Sequence, residues 1–166
     1  SPKTDVKAEE LFETPEGFES ALAGIYISLT DEDSYGHDMS FGLIDQLAQL
    51  YDRIPDGTTD REAIYQYEQQ SDGYYTKSRL AAIWLKSYNL IANANNLIKW
   101  LDKNGTRVLD EQTRNLYYGE AYALRAYLHF DLLRGWGPMN YQTGKSTLTI
   151  PYREVANSEK LPRLSA

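Results

Sequence analysis

Residues 119–138 run Gly119-Glu120-Ala121-Tyr122-Ala123-Leu124-Arg125-Ala126-Tyr127-Leu128-His129-Phe130-Asp131-Leu132-Leu133-Arg134-Gly135-Trp136-Gly137-Pro138. Apolar side chains recur at Tyr117, Ala121, Leu124, Leu128 and Leu132. Those steps of three and four residues place them on one face of an α-helix. Pro138 forbids continuation of the helix, and Gly135 and Gly137 are expected to close it in left-handed geometry. Asp110 is the expected N-cap of this segment, which is predicted to end at Arg134. Asp110 and Arg114, four residues apart, are placed to support each other.

Upstream, Thr76 to about Lys103 is the next predicted helix, with Leu80, Trp84, Tyr88, Ile91, Leu97, Ile98 and Leu101 along one side. Asn104-Gly105 is expected to end it in a left-handed cap. The short link to Asp110 makes an antiparallel helical hairpin the default arrangement. Earlier still, Thr14-Pro15-Glu16-Gly17 has the form of a helix start: a capping hydroxyl, a proline at the first position and an acid near the positive end of the dipole. Phe18, Leu22, Ile25 and Leu29 then make one apolar stripe. That helix should end near Thr30, before Asp31-Glu32-Asp33. A further segment, Met39 to Tyr51, carries Leu43, Leu47 and Leu50 on one face and stops before the turn signal Pro55-Asp56-Gly57. Residues 52–75 are polar and poorly periodic and are expected to form a long loop with at most one short element.

The tail, 139–166, contains Ile150-Pro151-Tyr152 and Leu161-Pro162-Arg163 and no helical pattern. It is expected to be extended, as a strip on the helices or a linker. The fold class that follows is all-α: tetratricopeptide-like helical hairpins with an extended C-terminal tail. The expected organisation is an extended lead over 1–13, a helical domain over 14–138 and the tail over 139–166.

The chain has 166 residues, enough for a domain with a real core. Its net charge of −7 argues against nucleic-acid binding, which needs a clustered basic surface. It contains no cysteine, so disulfides, thiolate metal sites and cysteine nucleophiles are excluded. There are 14 tyrosines against 4 phenylalanines. Tyrosine packs a ring and keeps a hydroxyl, which suits helix packing and also suits stacking on the C–H faces of sugars.

The stretch 119–138 resembles the signature helix of the SusD/RagB family, the outer-membrane glycan-binding lipoproteins of Bacteroidetes. Three more stretches resemble that family in the same order. LFETPEGFESALAGIY (Leu11 to Tyr26) is similar to its opening helix. WLKSYNLIANANNLI (Trp84 to Ile98) is similar to its Trp, Tyr, Ile, Ala-Asn pattern. IPYREV (Ile150 to Val155) sits where the family has an extended strip. Together they cover about residues 8–160. Trp84, Tyr88, Asn95, Arg125 and Trp136 carry the pattern and are expected to be structural, since buried polar groups in a helical core must be hydrogen-bonded.

The resemblance implies a cell-surface protein that captures an oligosaccharide or polysaccharide and passes it to a TonB-dependent SusC-like transporter in nutrient uptake. It covers only the family's N-terminal part. Family members carry a lipidated cysteine just before a lead like Ser1 to Val6, so this chain is expected to be the N-terminal portion of a lipid-anchored parent. In the family, the region between the second helix and the Trp-Tyr helix contributes to the glycan site. Here that region offers Tyr51, Asp52, Arg53, Asp56, Tyr65, Tyr67 and Tyr74, with Tyr75 beside them: rings to stack, and charged groups to bind hydroxyls.

Catalysis finds little support in the sequence. His37 and His129 are far apart, and no metal-binding or nucleophile motif appears. Asp31-Glu32-Asp33 lacks the ligand spacing of a calcium loop and is expected to be a solvated helix end. His129, inside the signature helix, is expected to be structural. No enzyme activity, cofactor or metal is expected. The alternative to glycan capture is a helical protein-interaction scaffold with no sugar site of its own.

Overall fold

A computed structural model describes residues 9–48, 74–138, 140–157 and 159–165, and for residues 46, 47, 74–76 and 141 it describes the backbone alone. Among the described residues, 9–11 form a helical turn where the lead was expected to be extended, and the elements that follow are α1 (Pro15–Leu29), α2 (Leu43–Leu47), α3 (Tyr74–Trp100), a π turn (Leu101–Gly105), α4 (Thr106–Val108), α5 (Glu111–Trp136) and α6 (Tyr141–Gly144). The fold class is all-α. Among the described residues the sole β pairing is one isolated antiparallel bridge, Leu148 with Ser165.

The chain divides into two compact units, Ser1–Tyr26 with Tyr88–Ala166, and Ile27–Ser87. In the first, α1 begins as its sequence dictates. The Thr14 hydroxyl accepts the Gly17 N–H at 3.2 Å. Gly17 is required by sterics, because a Cβ there would lie 1.6 Å from the carbonyl oxygen of Leu11. Phe18, Leu22 and Ile25 are buried. Phe12 meets Phe18 edge to face at 4.9 Å and stacks on Trp100 at 5.3 Å.

The C-terminal part of α3 and α5 form an antiparallel hairpin. Three side-chain pairs occur in reversed order along the two helices: Asp102 with Tyr118, Asn95 with Arg125, and Tyr88 with His129. Ala121, Leu124, Leu128 and Leu132 are buried as the stripe predicts, against a core that includes Ile91, Leu97 and Leu101. The turn between the helices differs from expectation. Gly105 has right-handed helical angles (φ −55°, ψ −41°), so no left-handed cap forms. The helix instead widens into the π turn, which carries Asn104 inward. Its amide donates to the Phe12 carbonyl at 3.0 Å. The helical run ends at Leu109, which is extended (φ −115°, ψ 149°).

Asp110 is the N-cap of α5, as expected, accepting the Thr113 N–H at 2.9 Å and its hydroxyl at 2.7 Å. The expected support from Arg114 is replaced: Arg114 donates to the Thr106 hydroxyl at 2.7 Å. At the other end, α5 runs two residues past Arg134. Gly135 stays helical and Gly137 is extended (φ −90°, ψ −174°), so neither is left-handed. Gly137 is needed for close approach, since a Cβ there would lie 2.3 Å from the Leu133 carbonyl oxygen. Its N–H caps that same carbonyl at 2.7 Å.

The tail is extended, but one helical turn, α6, interrupts it. Asn140 caps that turn through the N–H groups of Gln142 and Thr143. Local capping by a side-chain amide decided this turn where hydrophobic periodicity was silent.

In the second unit, helix α2 starts at Leu43 and not at the expected Met39, and the end of the expected segment, 49–51, lies outside the described residues. Residues 31–42 form successive turns instead. Buried Asp38 organises them, pairing with Arg79 at 2.5 Å and with the His37 ring at 2.9 Å. Arg79 also meets Glu32 at 3.1 Å and Asp33 at 3.7 Å, and Lys86 pairs with Asp31. The acidic triplet is a solvated helix end, as expected, and its exposed carboxylates also pair with Arg79 and Lys86. The close Asp38 carboxylate in particular strengthens the hold of the Arg79 guanidinium on its proton.

Candidate functional site

The polar residues of α3 and α5 converge on one extended segment, residues 149–154. Tyr88 Oη donates to the Pro151 carbonyl at 2.7 Å. Asn95 Nδ2 donates to the Arg153 carbonyl at 3.0 Å. His129 Nε2 accepts the Arg153 N–H at 3.0 Å. Three side chains thus satisfy three backbone groups that have no strand partner, as the backbone of a partly buried extended segment requires. Thr149 and Ile150 are buried at its start, and the Thr149 N–H donates to the Leu164 carbonyl at 2.7 Å.

Arg125 lies behind this segment. Its guanidinium donates to Asn95 Oδ1 at 3.1 Å, so the Asn95 amide is used at both ends. Glu154 approaches the same guanidinium at 4.0 Å. The Arg125 carbonyl lies 2.8 Å from His129 Nδ1. A carbonyl can only accept and a backbone N–H can only donate, so His129 is neutral with its proton on Nδ1. Burial is the main cause that lowers its affinity for a second proton. Burial likewise pushes the Tyr88 hydroxyl up to about 12. Tyr88, Asn95, Arg125 and His129 are all engaged in hydrogen bonds inside the fold. Trp84 and Trp136 are half-buried.

Around this hub lies an aromatic surface. Tyr118 and Tyr122, one helical turn apart, have near-parallel rings with centroids 6.2 Å apart. The Arg125 guanidinium lies 5.0 Å from the Tyr122 ring centre and 5.9 Å from that of Tyr152. The Tyr152 and His129 ring centres are 4.3 Å apart. Tyr118 Oη donates to Asp102 at 2.6 Å, and burial together with that bond pushes the hydroxyl up to about 12.

A second feature is an open groove of about 740 Å³ lined by Tyr26, Leu116, Gly119, Glu120, Ala123 and Tyr127, among others. Tyr26 Oη donates to Glu120 Oε2 at 2.7 Å, and this bond pushes the hydroxyl up to about 12. The groove is mostly apolar. No group of three metal-ligating side chains occurs among the described residues. No described helix is long and apolar enough to cross a membrane.

Of the residues that the resemblance offers for glycan contact, Tyr51, Asp52, Arg53, Asp56, Tyr65 and Tyr67 lie outside the described residues. So do the side chains of Tyr74 and Tyr75, although the backbone of both belongs to α3. The aromatic surface was not singled out from sequence. Its signal was the spacing of Tyr118, Tyr122 and Arg125 on one helical face. Tyr152 reaches that face only through the fold.

The sequence pattern of the SusD-like family, described as starch-binding and associating with the outer membrane, matches residues 4–163. The SusD-like protein P2 of Formosa agariphila is 25% identical over 136 residues, which cover 80% of this chain and 25% of that protein. The chain thus spans about a quarter of the length of the curated relative it matches. No solved structure matches the chain. The motif helices, the strip they hold and a family match running through all of them lead to one assignment: this chain belongs to the SusD-like family of starch-binding proteins that associate with the outer membrane.

Proposed function

We propose that this chain is part of a lipid-anchored, cell-surface glycan-binding protein. It captures oligosaccharides and passes them to a TonB-dependent SusC-like transporter, binding without hydrolysis. The observation that carries this reading is the family match over residues 4–163. The tyrosine-rich composition supports it, because rings that carry a hydroxyl suit sugar faces and edges alike. In this reading Tyr51, Asp52, Arg53, Asp56, Tyr65, Tyr67 and Tyr74 are glycan contacts. The test is calorimetric titration of the chain with plant, host and microbial oligosaccharides. A saturable signal that is lost in Tyr65→Ala and Tyr67→Ala, with the fold intact, supports both the function and that placement. Loss of folding in these variants assigns the two tyrosines to packing.

The apolar groove along Tyr26, Leu116 and Tyr127 favours a second reading, a protein-docking scaffold without its own sugar site. That reading predicts binding to a transporter or peptide and silence across the sugar panel.

A further inference from the structure

Tyr152 is held on both sides by groups that come from the helices. The carbonyl before it, on Pro151, accepts from Tyr88, and the N–H and carbonyl after it, on Arg153, are bound by His129 and Asn95. The His129 ring packs against its side chain. Despite this anchoring Tyr152 remains 42% exposed, and Tyr122 across Arg125 is 45% exposed. Arg125, whose side chain is only 12% exposed, backs both rings and is itself held by Asn95. The result is a pair of half-exposed aromatic rings, both against the Arg125 guanidinium, with the backbone on either side of Tyr152 anchored. Carboxylates flank it: Glu154 beside Arg125, and Asp102 beside Tyr118.

We propose that Tyr122 and Tyr152, extended by Tyr118, form a stacking platform for the pyranose rings of an oligosaccharide, with Glu154 and Asp102 accepting sugar hydroxyls. This rests on the glycan-binding reading above and adds contact residues to those proposed between Tyr51 and Tyr74. Rings whose positions are already set lose little freedom on binding, so their stacking converts efficiently into affinity. Exposed carboxylates beside aromatic faces supply the directional contacts that an apolar surface lacks. The groove at Tyr26 is mostly apolar, so it is the poorer match to a sugar.

The experiment titrates the chain with maltoheptaose, cellohexaose and xylohexaose by calorimetry. At least one is expected to bind saturably. Tyr122→Ala and Tyr152→Ala are each expected to weaken that binding about tenfold or more, while Tyr122→Phe and Tyr152→Phe stay within about threefold. Hydroxyl-radical footprinting of the unaltered chain provides a readout that does not depend on any variant folding. Bound sugar should protect Tyr122 and Tyr152 and leave Tyr127, which is 52% exposed, reactive. Binding without that protection, or unweakened in folded alanine variants, overturns the platform and leaves the glycan-binding reading standing. Absence of binding to all three sugars at millimolar concentration overturns the platform and counts against that reading as well.

Discussion

His129 Nε2 lies 3.0 Å from the backbone nitrogen of Arg153 and accepts a hydrogen bond from its N–H. A residue of the family's signature helix is thereby joined to the strip that follows it, through an atom that can accept only while the ring is neutral. His129 Nδ1 is committed to the Arg125 carbonyl, so protonation would turn Nε2 into a donor facing a donor.

Stability should therefore fall on mild acidification. Burial lowers the His129 pKa in the folded chain, so the unfolded chain binds the proton more readily. The stability this represents is complete above the unfolded value, near 6.5, and declines as pH falls below it. Urea denaturation at pH 7.5 and 5.5 should show the loss. In His129→Gln, which keeps an acceptor and does not titrate, the drop should shrink. An equal drop in both proteins assigns the acid sensitivity to other groups.

Asn95 should be expensive to remove. It is buried and joins the Arg153 carbonyl to the Arg125 guanidinium. In Asn95→Ala both partners lose a hydrogen bond in a mostly buried setting, a loss of about 2–3 kcal/mol. Combining Asn95→Ala with Arg125→Ala in a double-mutant cycle should give clearly less than the sum of the two losses, because each change already breaks the shared contact.

Two glycines should respond to alanine in opposite ways. Gly17→Ala puts a methyl 1.6 Å from the Leu11 carbonyl oxygen, so backbone must move, and a loss of about 3 kcal/mol or failure to fold is expected. At Gly119, inside α5, nothing lies within 4 Å of the added atom. Gly119→Ala should stabilise the helix by up to about 1 kcal/mol. Thermal melts of the two variants side by side will show whether they diverge.

Trp100 is buried, and its indole N–H has no hydrogen-bond partner among the described residues. Trp100→Phe keeps a ring against Phe12 and removes that donor, so a change within about 1 kcal/mol is expected. Phe12→Ala removes a fully buried ring that contacts both Phe18 and Trp100. Its loss should be about 3–5 kcal/mol. Chemical denaturation of the two variants gives the comparison directly.

The helices were largely legible because their signals are local. Phe18, Leu22 and Ile25 in α1, and Ala121, Leu124, Leu128 and Leu132 in α5, face inward as their spacing requires. Thr14 and Asp110 cap as their chemistry suggests. Predictions failed where local preference met tertiary demand. Gly105 has the composition of a helix stop, yet helical geometry continues through it and brings Asn104 to the Phe12 carbonyl. Residues 39–42 are turns where a helix start was expected, in a region where buried Asp38 pairs with Arg79 across about forty residues.

By itself the sequence determined the helical class, the inward faces of its helices, their N-caps and the family, since each is written in spacings of a few residues or in the order of whole motifs. Only the tertiary structure decided what the motif's polar residues do. Tyr88, Asn95 and His129 are 24 to 63 residues away in sequence from the backbone groups they bind. A hydrogen bond needs its partners placed to within a fraction of an ångström. A periodicity that specifies which face of a helix is buried does not specify which distant segment will lie on that face.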